Sequence, residues 1–348
     1  MSVFYVVLFV LMLFAIFRMW RNRGGVYVRT EDAAFDRTEG HPDTALGMEH
    51  VLKGKWAALT SLYWHQPPSD RYHFVQGIGE LAKRGSVTWP EDADSAVLTI
   101  QAGVCLAQFS TAIEDLITRR APKSTAAGIP PILAEAKRLL VESARRNPHD
   151  SANLALQLRA DMYSGKDRAT FNNLLGRIDA TGEANIYAAL NHVMFVSPRA
   201  HGSTEEMWQA ANGYASNPHN AAWLAIAAFA HIEEWHFSMS FDPALRQAYI
   251  SRLQDPGFTD HIRSMNRLFW NRASESEMSR AETTFAHNNF AFLMQMVRAD
   301  DALGPHLEKM GGSITALPWC YLPDGALKPT RLVSELRRKA GLPALVGA

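Results

Sequence analysis

The chain has 348 residues, 47% of them hydrophobic and 20% charged, with 35 lysines and arginines against 35 aspartates and glutamates. That is enough apolar residue to bury a sizeable core, and the even charge leaves no basic excess to draw in phosphate backbones, which argues against nucleic-acid binding. Two cysteines, Cys105 and Cys320, are too few for a disulfide-built exported domain.

The N-terminus sets itself apart. Residues 3–17, VFYVVLFVLMLFAIF, carry no charge, glycine or proline. Extended to residue 20, with Arg18 snorkelling, the run gives roughly 27 Å of helix, the short end of a membrane span. A cleaved signal peptide is the rival reading. It needs positive charge ahead of the run and small residues at the cut, and here only Met1 and Ser2 precede it while Phe17, Met19 and Trp20 occupy the cut region. Arg18, Arg21, Arg23 and Arg29 all follow the run. The positive-inside rule then puts the N-terminus outside and the body in the cytoplasm, with residues 3–20 holding the protein in a membrane.

Residues 22–43 lack clear periodicity and form a tether. From Thr44, Leu46, Val51, Leu52, Trp56, Leu59 and Leu62 keep helical spacing until Pro67-Pro68. Ser69 or Asp70 is placed to cap the next helix, which stops near Gly85. An apolar helix is expected within residues 91–120, then a PKSTAAGIPP loop, then a helix with Pro131 in its first turn.

Beyond that point the chain repeats itself. NPHDSANLA at residues 147–155 returns as NPHNAAWLA at 217–225, and Ala188 and Leu190 mark a faint half-way copy. Seventy residues is two units of about 35, the length of a tetratricopeptide hairpin. Helices are expected at 147–163, 167–178, 183–195, 204–214, 220–235, 243–253, 258–270 and 279–298, and no strand pattern or hairpin turn appears. The 220–235 segment is apolar nearly all round and should be central. The expectation is an all-α fold, a tetratricopeptide-like right-handed stack of about six helical hairpins behind one transmembrane helix. Its parts would be an anchor at 1–21, a tether at 22–43, an N-terminal helical part at 44–128, a repeat part at 129–302, and a C-terminal cap and tail at 303–348.

Four strings in the body, GKWAALTSL with a later DRYHFV, HGSTEEMWQAA, AFAHIEEW and GGSITALPWCYLPD, resemble a group of bacterial, actinobacterial-type helical-repeat proteins with no assigned activity. The resemblance spans residues 54–324 and implies a helical-repeat fold with no established activity, and the membrane expected to hold residues 3–20 is then the bacterial inner membrane. Its motif positions are Gly202, Ser203, His231, Glu233, Trp235, Pro318, Trp319, Tyr321 and Asp324. One departure is visible: Ala200-His201 stands where an aromatic residue would precede the Gly-Ser.

Candidate chemistry is sparse. Glu233 and His236 have the Glu-x-x-His spacing of di-iron bundles, but no second copy exists, and His231 and His236 lie five apart rather than at zinc-protease spacing. His231 and Glu233 are more simply polar groups bonded to a neighbouring helix. Neither cysteine lies in a Cys-x-x-Cys pair, no Gly-x-Ser-x-Gly elbow occurs, and Gly311-Gly312-Ser313 lacks a phosphate-loop lysine, fitting a helix C-cap instead. No cofactor is expected. The expected role is a non-enzymatic module that binds another protein. The alternative is a metal-binding or enzymatic bundle using His231, Glu233 and His236, with His192 or His287 brought in by the fold. Tryptophans 56, 64, 208, 223, 235, 270 and 319 lie in or beside helices, where core packing is the default and a binding surface the alternative.

Overall fold

The structure, a computed structural model, describes residues 36, 38–117, 128–165, 167–218, 220–241, 243–322 and 328–345. The expected anchor at 1–21, nearly all of the tether up to residue 35, and Asp324 lie outside the described residues. Everything described is helix, turn or loop, with no strand among the described residues. The all-α expectation holds. The chain divides into two compact units, His41–His192, and Val193–Ala348 together with the segment ending at Gly40.

The first unit opens with α1 (Thr44–Leu52) and α2 (Trp56–Trp64), where the apolar spacing had suggested one continuous helix. Gly54 breaks it. Its φ of +62° is left-handed, and the N–H groups of Gly54 and Lys55 turn back to the carbonyls of Val51 (3.2 Å) and His50 (2.9 Å). Helix α3 (Pro68–Ala82) starts on Pro67 with no side-chain cap. Ser69 and Asp70, expected as caps, lie inside its first turn and are buried.

Helix α4 (Ser95–Ile117) is long and apolar enough over Ser95–Leu116 to cross a membrane by length and composition. Its packing gives another reason for the apolarity. It lies against α2, α3, α5 (Ile129–Arg146) and α6 (Ser151–Ser164). Gly79 and Gly103 let α3 and α4 nearly touch, since a Cβ on Gly103 would sit 2.2 Å from Val75 Cγ1. A buried ladder then runs from α5 through α4 to α6. Thr99 meets Ser143 at 2.8 Å, Asn153 donates to Thr99 at 2.9 Å, and Gln157 donates to Asn153 at 2.7 Å. This polar ladder crosses position 128/129, where the repeats were expected to start, and lies within one compact unit. Helix α7 (Arg168–Thr181) packs on α6, and α8 (Ile186–Phe195) ends the unit and runs past it.

The second unit contains α9 (Thr204–Ala215), a 3-10 turn (Ala221–Trp223), α10 (Leu224–Ser240), α11 (Pro243–Gln254), α12 (Pro256–Ala273), α13 (Arg280–Met296), α14 (Asp300–Met310), the short α15 (Ala316–Trp319) and α16 (Pro329–Lys339). Helix α10 is covered by α9, α11 and α13, as its all-round apolar sequence requires. The region taken as cap and tail is itself helical. Pro305 inside α14 obscures the pattern there, and α16 packs on α14. Gly311 ends α14 at φ +57°, as expected of a C-cap. Tether residues Glu39 and Gly40 are bound to this unit. Glu39 accepts from the Ala316 N–H at 2.7 Å, and Arg280 donates to the Gly40 carbonyl at 2.7 Å.

Four of the helix starts keep a regular step. Asp150, Asn185, Asn220 and Asp255 each accept a hydrogen bond from the backbone N–H two residues on, at Ala152 (3.2 Å), Tyr187 (3.0 Å), Ala222 (2.8 Å) and Gly257 (3.0 Å). Their spacing is 35 residues at each step, and each opens a helix or the 3-10 turn leading into one. Asx oxygens suit this position because they satisfy amides that the first turn leaves without partners.

Leu224 begins α10 and is 4% exposed. Leu224→Ala is expected to lower stability by about 2–5 kcal/mol, read from urea unfolding. A loss under about 0.5 kcal/mol would place α10 at the periphery instead.

Candidate functional site

Two of the strings singled out in the sequence, and the loop leading into a third, meet at one buried point in the second unit. The first is the loop SPRAHGS after α8. It folds back on itself through His201 N–H to the Phe195 carbonyl (3.0 Å), and through Ala200 and Gly202 N–H to the Ser197 carbonyl (3.0 and 3.2 Å). Gly202 is required by space, since a Cβ there would lie 2.1 Å from the Val196 carbonyl oxygen. Ser203 caps α9 by accepting from Glu206 N–H at 3.2 Å. Both motif positions thus have a role in shaping the loop, and the loop presents Ser197 and Arg199.

The second string is α10, whose Glu233 has no exposed surface. Arg199 grips its carboxylate with two parallel bonds, Nε to Oε1 at 2.6 Å and Nη2 to Oε2 at 3.0 Å. Ser197 Oγ donates to Oε1 at 3.2 Å. The third string supplies Tyr321, whose hydroxyl donates to Oε2 at 2.7 Å while accepting from Arg199 Nη2 at 2.8 Å. His236, one turn along α10 from Glu233, stacks flat on the Tyr321 ring with centroids 4.1 Å apart and planes 4° apart. The Arg199 guanidinium lies 5.0 Å from the centre of the same ring.

Electrostatics fix the protonation states. Burial by itself would raise the Glu233 carboxyl, but Arg199 outweighs it, with His236, Tyr321 and the Arg199 hydrogen bonds adding, so the group is held below its ordinary value and is ionised. Burial pushes the Tyr321 phenol well up, keeping it a donor. Burial and the nearby Arg199 cation push His236 down to about 4 against the counter-pull of Glu233, so its ring is neutral at pH 7. Four donor contacts fill both oxygens of Glu233. A carboxylate so occupied has no lone pair directed at a metal and no freedom to take a proton from a substrate.

The other candidate positions stand apart from this knot. His231 faces a different neighbourhood, edge-on to Trp208 at 4.5 Å and near Phe258 and His261. Burial, with Arg252 and His261 adding, lowers it to about 3. His192 lies beside Phe171 in the first unit. His287 pairs with His306, Nδ1 to Nδ1 at 2.9 Å, and His306 Nε2 meets Asn266 Oδ1 at 2.7 Å. Because an amide oxygen only accepts, His306 carries its proton on Nε2 and receives the His287 Nδ1–H. Trp235 packs edge-on to Phe292, and Trp319, fully buried beside Pro318, donates to Asn288 Oδ1 at 2.8 Å. Among the described residues, no three His, Cys, Asp or Glu side chains gather where they could hold a metal ion.

Arg199 and Ser197 escaped the sequence reading, although they sit four to six residues ahead of the noted Ser203. The first unit carries a parallel arrangement that was also missed. Buried Arg71 donates to Asp150 at 3.0 Å and pairs with Glu183, while the Tyr63 hydroxyl donates to Asp150 at 2.6 Å. Both knots join an arginine, a carboxylate and a tyrosine that are far apart in sequence. The chain was compared with known protein families, with characterised proteins and with solved structures, and none of them matches it.

Proposed function

We propose that the chain is a membrane-anchored helical-repeat scaffold that binds another protein and carries out no chemistry of its own. The observation that carries this reading is the 35-residue step of helix-opening Asx residues at 150, 185, 220 and 255. A regular step of that length is what stacked helical hairpins of the tetratricopeptide type need, and such stacks present extended surfaces to partners. The right-handed hairpin stack and the likeness to actinobacterial-type repeat proteins belong to this proposal. So does the placement, with residues 3–20 in the bacterial inner membrane, the N-terminus outside and the body in the cytoplasm. The occupied Glu233 knot supports a structural part for the residues with the strongest claim to chemistry.

Binding is tested by placing a photo-crosslinking amino acid at exposed Leu245 on α11 and, separately, at exposed Leu268 on α12 of the full chain. One discrete partner captured from both positions in membranes is expected. Loss of all capture over a scan of the exposed helix faces would end the scaffold reading. Metal analysis of the same purified chain covers the alternative. Stoichiometric zinc or iron that disappears in Glu233→Ala, with helicity intact, would replace the scaffold by the metal-binding bundle.

Placement has its own test. A cysteine introduced at Arg145, 72% exposed on α5, is expected to resist a membrane-impermeant maleimide in intact cells and to react after permeabilisation. Labelling from outside, or a mature chain beginning after residue 20, would refute the cytoplasmic placement.

A further inference from the structure

Arg71, Arg199 and Arg252 each face a carboxylate, on Asp150, Glu233 and Glu234. Arg159 of α6 does not. Its Nε donates to the hydroxyl of Tyr163, one turn along the same helix, at 3.2 Å, and its guanidinium lies 5.7 Å from the centre of that ring. The Tyr72 hydroxyl of α3 lies against the same guanidinium and accepts from the Asn191 amide at 3.5 Å. A tyrosine hydroxyl is uncharged at pH 7, so neither one supplies a counter-charge. The hydroxyls can take two of the five N–H groups that an arginine carries, and no carboxylate or carbonyl takes the others among the described residues. Tyr163, accepting from Nε, keeps its own O–H for donation. None of the Arg159 nitrogens is sealed from solvent without a partner, and Arg159 and Tyr163 are both half-buried. The unmet donors can therefore be reached from outside.

We propose that Arg159 and Tyr163 form a binding site for a carboxylate, held by the Arg159 Nη groups with the Tyr163 hydroxyl as a further donor. A half-buried cation without a counter-charge is costly, and a bound acid would give Arg159 what Asp150 gives Arg71 and Glu233 gives Arg199. The planar guanidinium matches a carboxylate in shape as well as in charge. Charge also selects among anions. Lys137 of the neighbouring α5 is already paired with Asp161 at 2.5 Å, so the site offers a single positive charge. That suits a carboxylate better than a phosphate monoester, which carries nearly two negative charges at pH 7. The surroundings are aromatic. Phe109 of α4 lies 5.2 Å from the Tyr163 ring, and Tyr72 stacks on Tyr187 of α8 with centroids 4.5 Å apart. An acid with an apolar body therefore fits, either as a free small molecule or as an acidic side chain of another protein. All of these groups belong to the first unit, so the site is complete within it.

The experiment treats the full chain in detergent with phenylglyoxal, which modifies arginine, and follows single sites by mass spectrometry of peptides. Arg145, 72% exposed on α5, is the internal reference. Benzoate at about 40 mM should slow modification of Arg159 about fivefold, as a Kd of ~10 mM gives, and leave Arg145 unchanged. Benzamide, which has the same ring without the charge, should protect neither, and nor should sodium chloride or phosphate at matched ionic strength. Tyr163→Phe should lose part of the protection. Benzoate should raise the melting temperature of the chain and leave that of Arg159→Gln unmoved. If Arg159→Gln fails to fold, the protection series on the unsubstituted chain decides alone. A capped peptide carrying one glutamate distinguishes the two sources. Protection by benzoate upholds the site for a free acid, and protection by the peptide alone upholds it for an acidic side chain of a partner. Protection by neither at that concentration overturns the proposal. So does equal protection by benzamide, chloride or phosphate, an equal melting shift in Arg159→Gln, or an Arg159 that never reacts in the free chain.

Discussion

Arg199→Ala is expected to destabilise the second unit by about 3–5 kcal/mol, because it leaves the Glu233 carboxylate buried without its cation. The alternatives open to Glu233 are all costly. It can stay ionised with only Ser197 and Tyr321 as donors, take up a proton, or draw water into a region where it has no exposed surface. Arg199→Lys should recover only part of the loss, since an ammonium cannot reproduce two parallel bonds to one carboxylate. Tyr321→Phe removes one donor and should cost less, about 1–3 kcal/mol. The informative variant is the double replacement Arg199→Met with Glu233→Leu. Removing both charges removes the penalty as well as the attraction, so the double variant should be more stable than Arg199→Ala alone. Because two units need not unfold together, hydrogen exchange read on peptides from α9, α10 and α13 is the appropriate measurement. A loss below about 1 kcal/mol for Arg199→Ala would show that the knot contributes little, as exposed ion pairs do.

How far this arrangement could be seen in the sequence follows from the distance over which each feature is encoded. Helix positions were largely legible, because a 3.6-residue apolar spacing and a proline or glycine stop are local signals. The expected 243–253 and 279–298 helices appear as Pro243–Gln254 and Arg280–Met296. The break at Gly54 was not legible, since Trp56 and Leu59 continue the apolar phase across it. Repetition was plain only at 147–155 and 217–225, with a faint half-way copy at Ala188 and Leu190. The sequence pointed to units of about 35 residues, but the equal step at Asp150, Asn185, Asn220 and Asp255 emerged only with the hydrogen bonds in view. The Glu233 knot lies at the far end of this scale. Its partners are 34 and 88 residues away in sequence, and no pattern local to α10 selects arginine and tyrosine over metal ligands. Glu-x-x-His spacing correctly placed Glu233 and His236 on one side of the helix. What faced them was set by the loop after α8 and the turn after α15.

Acid should weaken the second unit steeply between about pH 6.5 and 4, well before its carboxylates are protonated. Four of its histidines are buried and neutral. Burial, with nearby cations adding, lowers His231 to about 3, and His236 and His287 to about 4, while burial beside His287 holds His306 well below the ordinary range. The sign follows from proton binding. Well above pH 6.5 these rings are neutral in both the folded and the unfolded chain and add no pH dependence, while at pH 6.5 the unfolded rings are already half protonated. As pH falls below 6.5 the unfolded chain takes up protons that the folded unit refuses, so unfolding gains about 1.4 kcal/mol per histidine for each pH unit. The loss levels off only when the folded-state values near 4 and 3 are reached. Glu233, held below its ordinary value, adds to the loss only once the unfolded carboxyl begins to protonate, below about 4.5. The steep part above pH 5 is thus a histidine effect. Urea midpoints taken at pH 7.5, 6.5 and 5.5, with exchange read separately on peptides of each unit, should show the second unit weakening about three times as much from 6.5 to 5.5 as from 7.5 to 6.5. His236→Phe keeps an aromatic ring against Tyr321 while removing one of the four protons, and should reduce that slope by about a quarter. A second unit equally stable at pH 7.5 and 5.5 would mean that these rings open to water, or accept protons in place, at little cost.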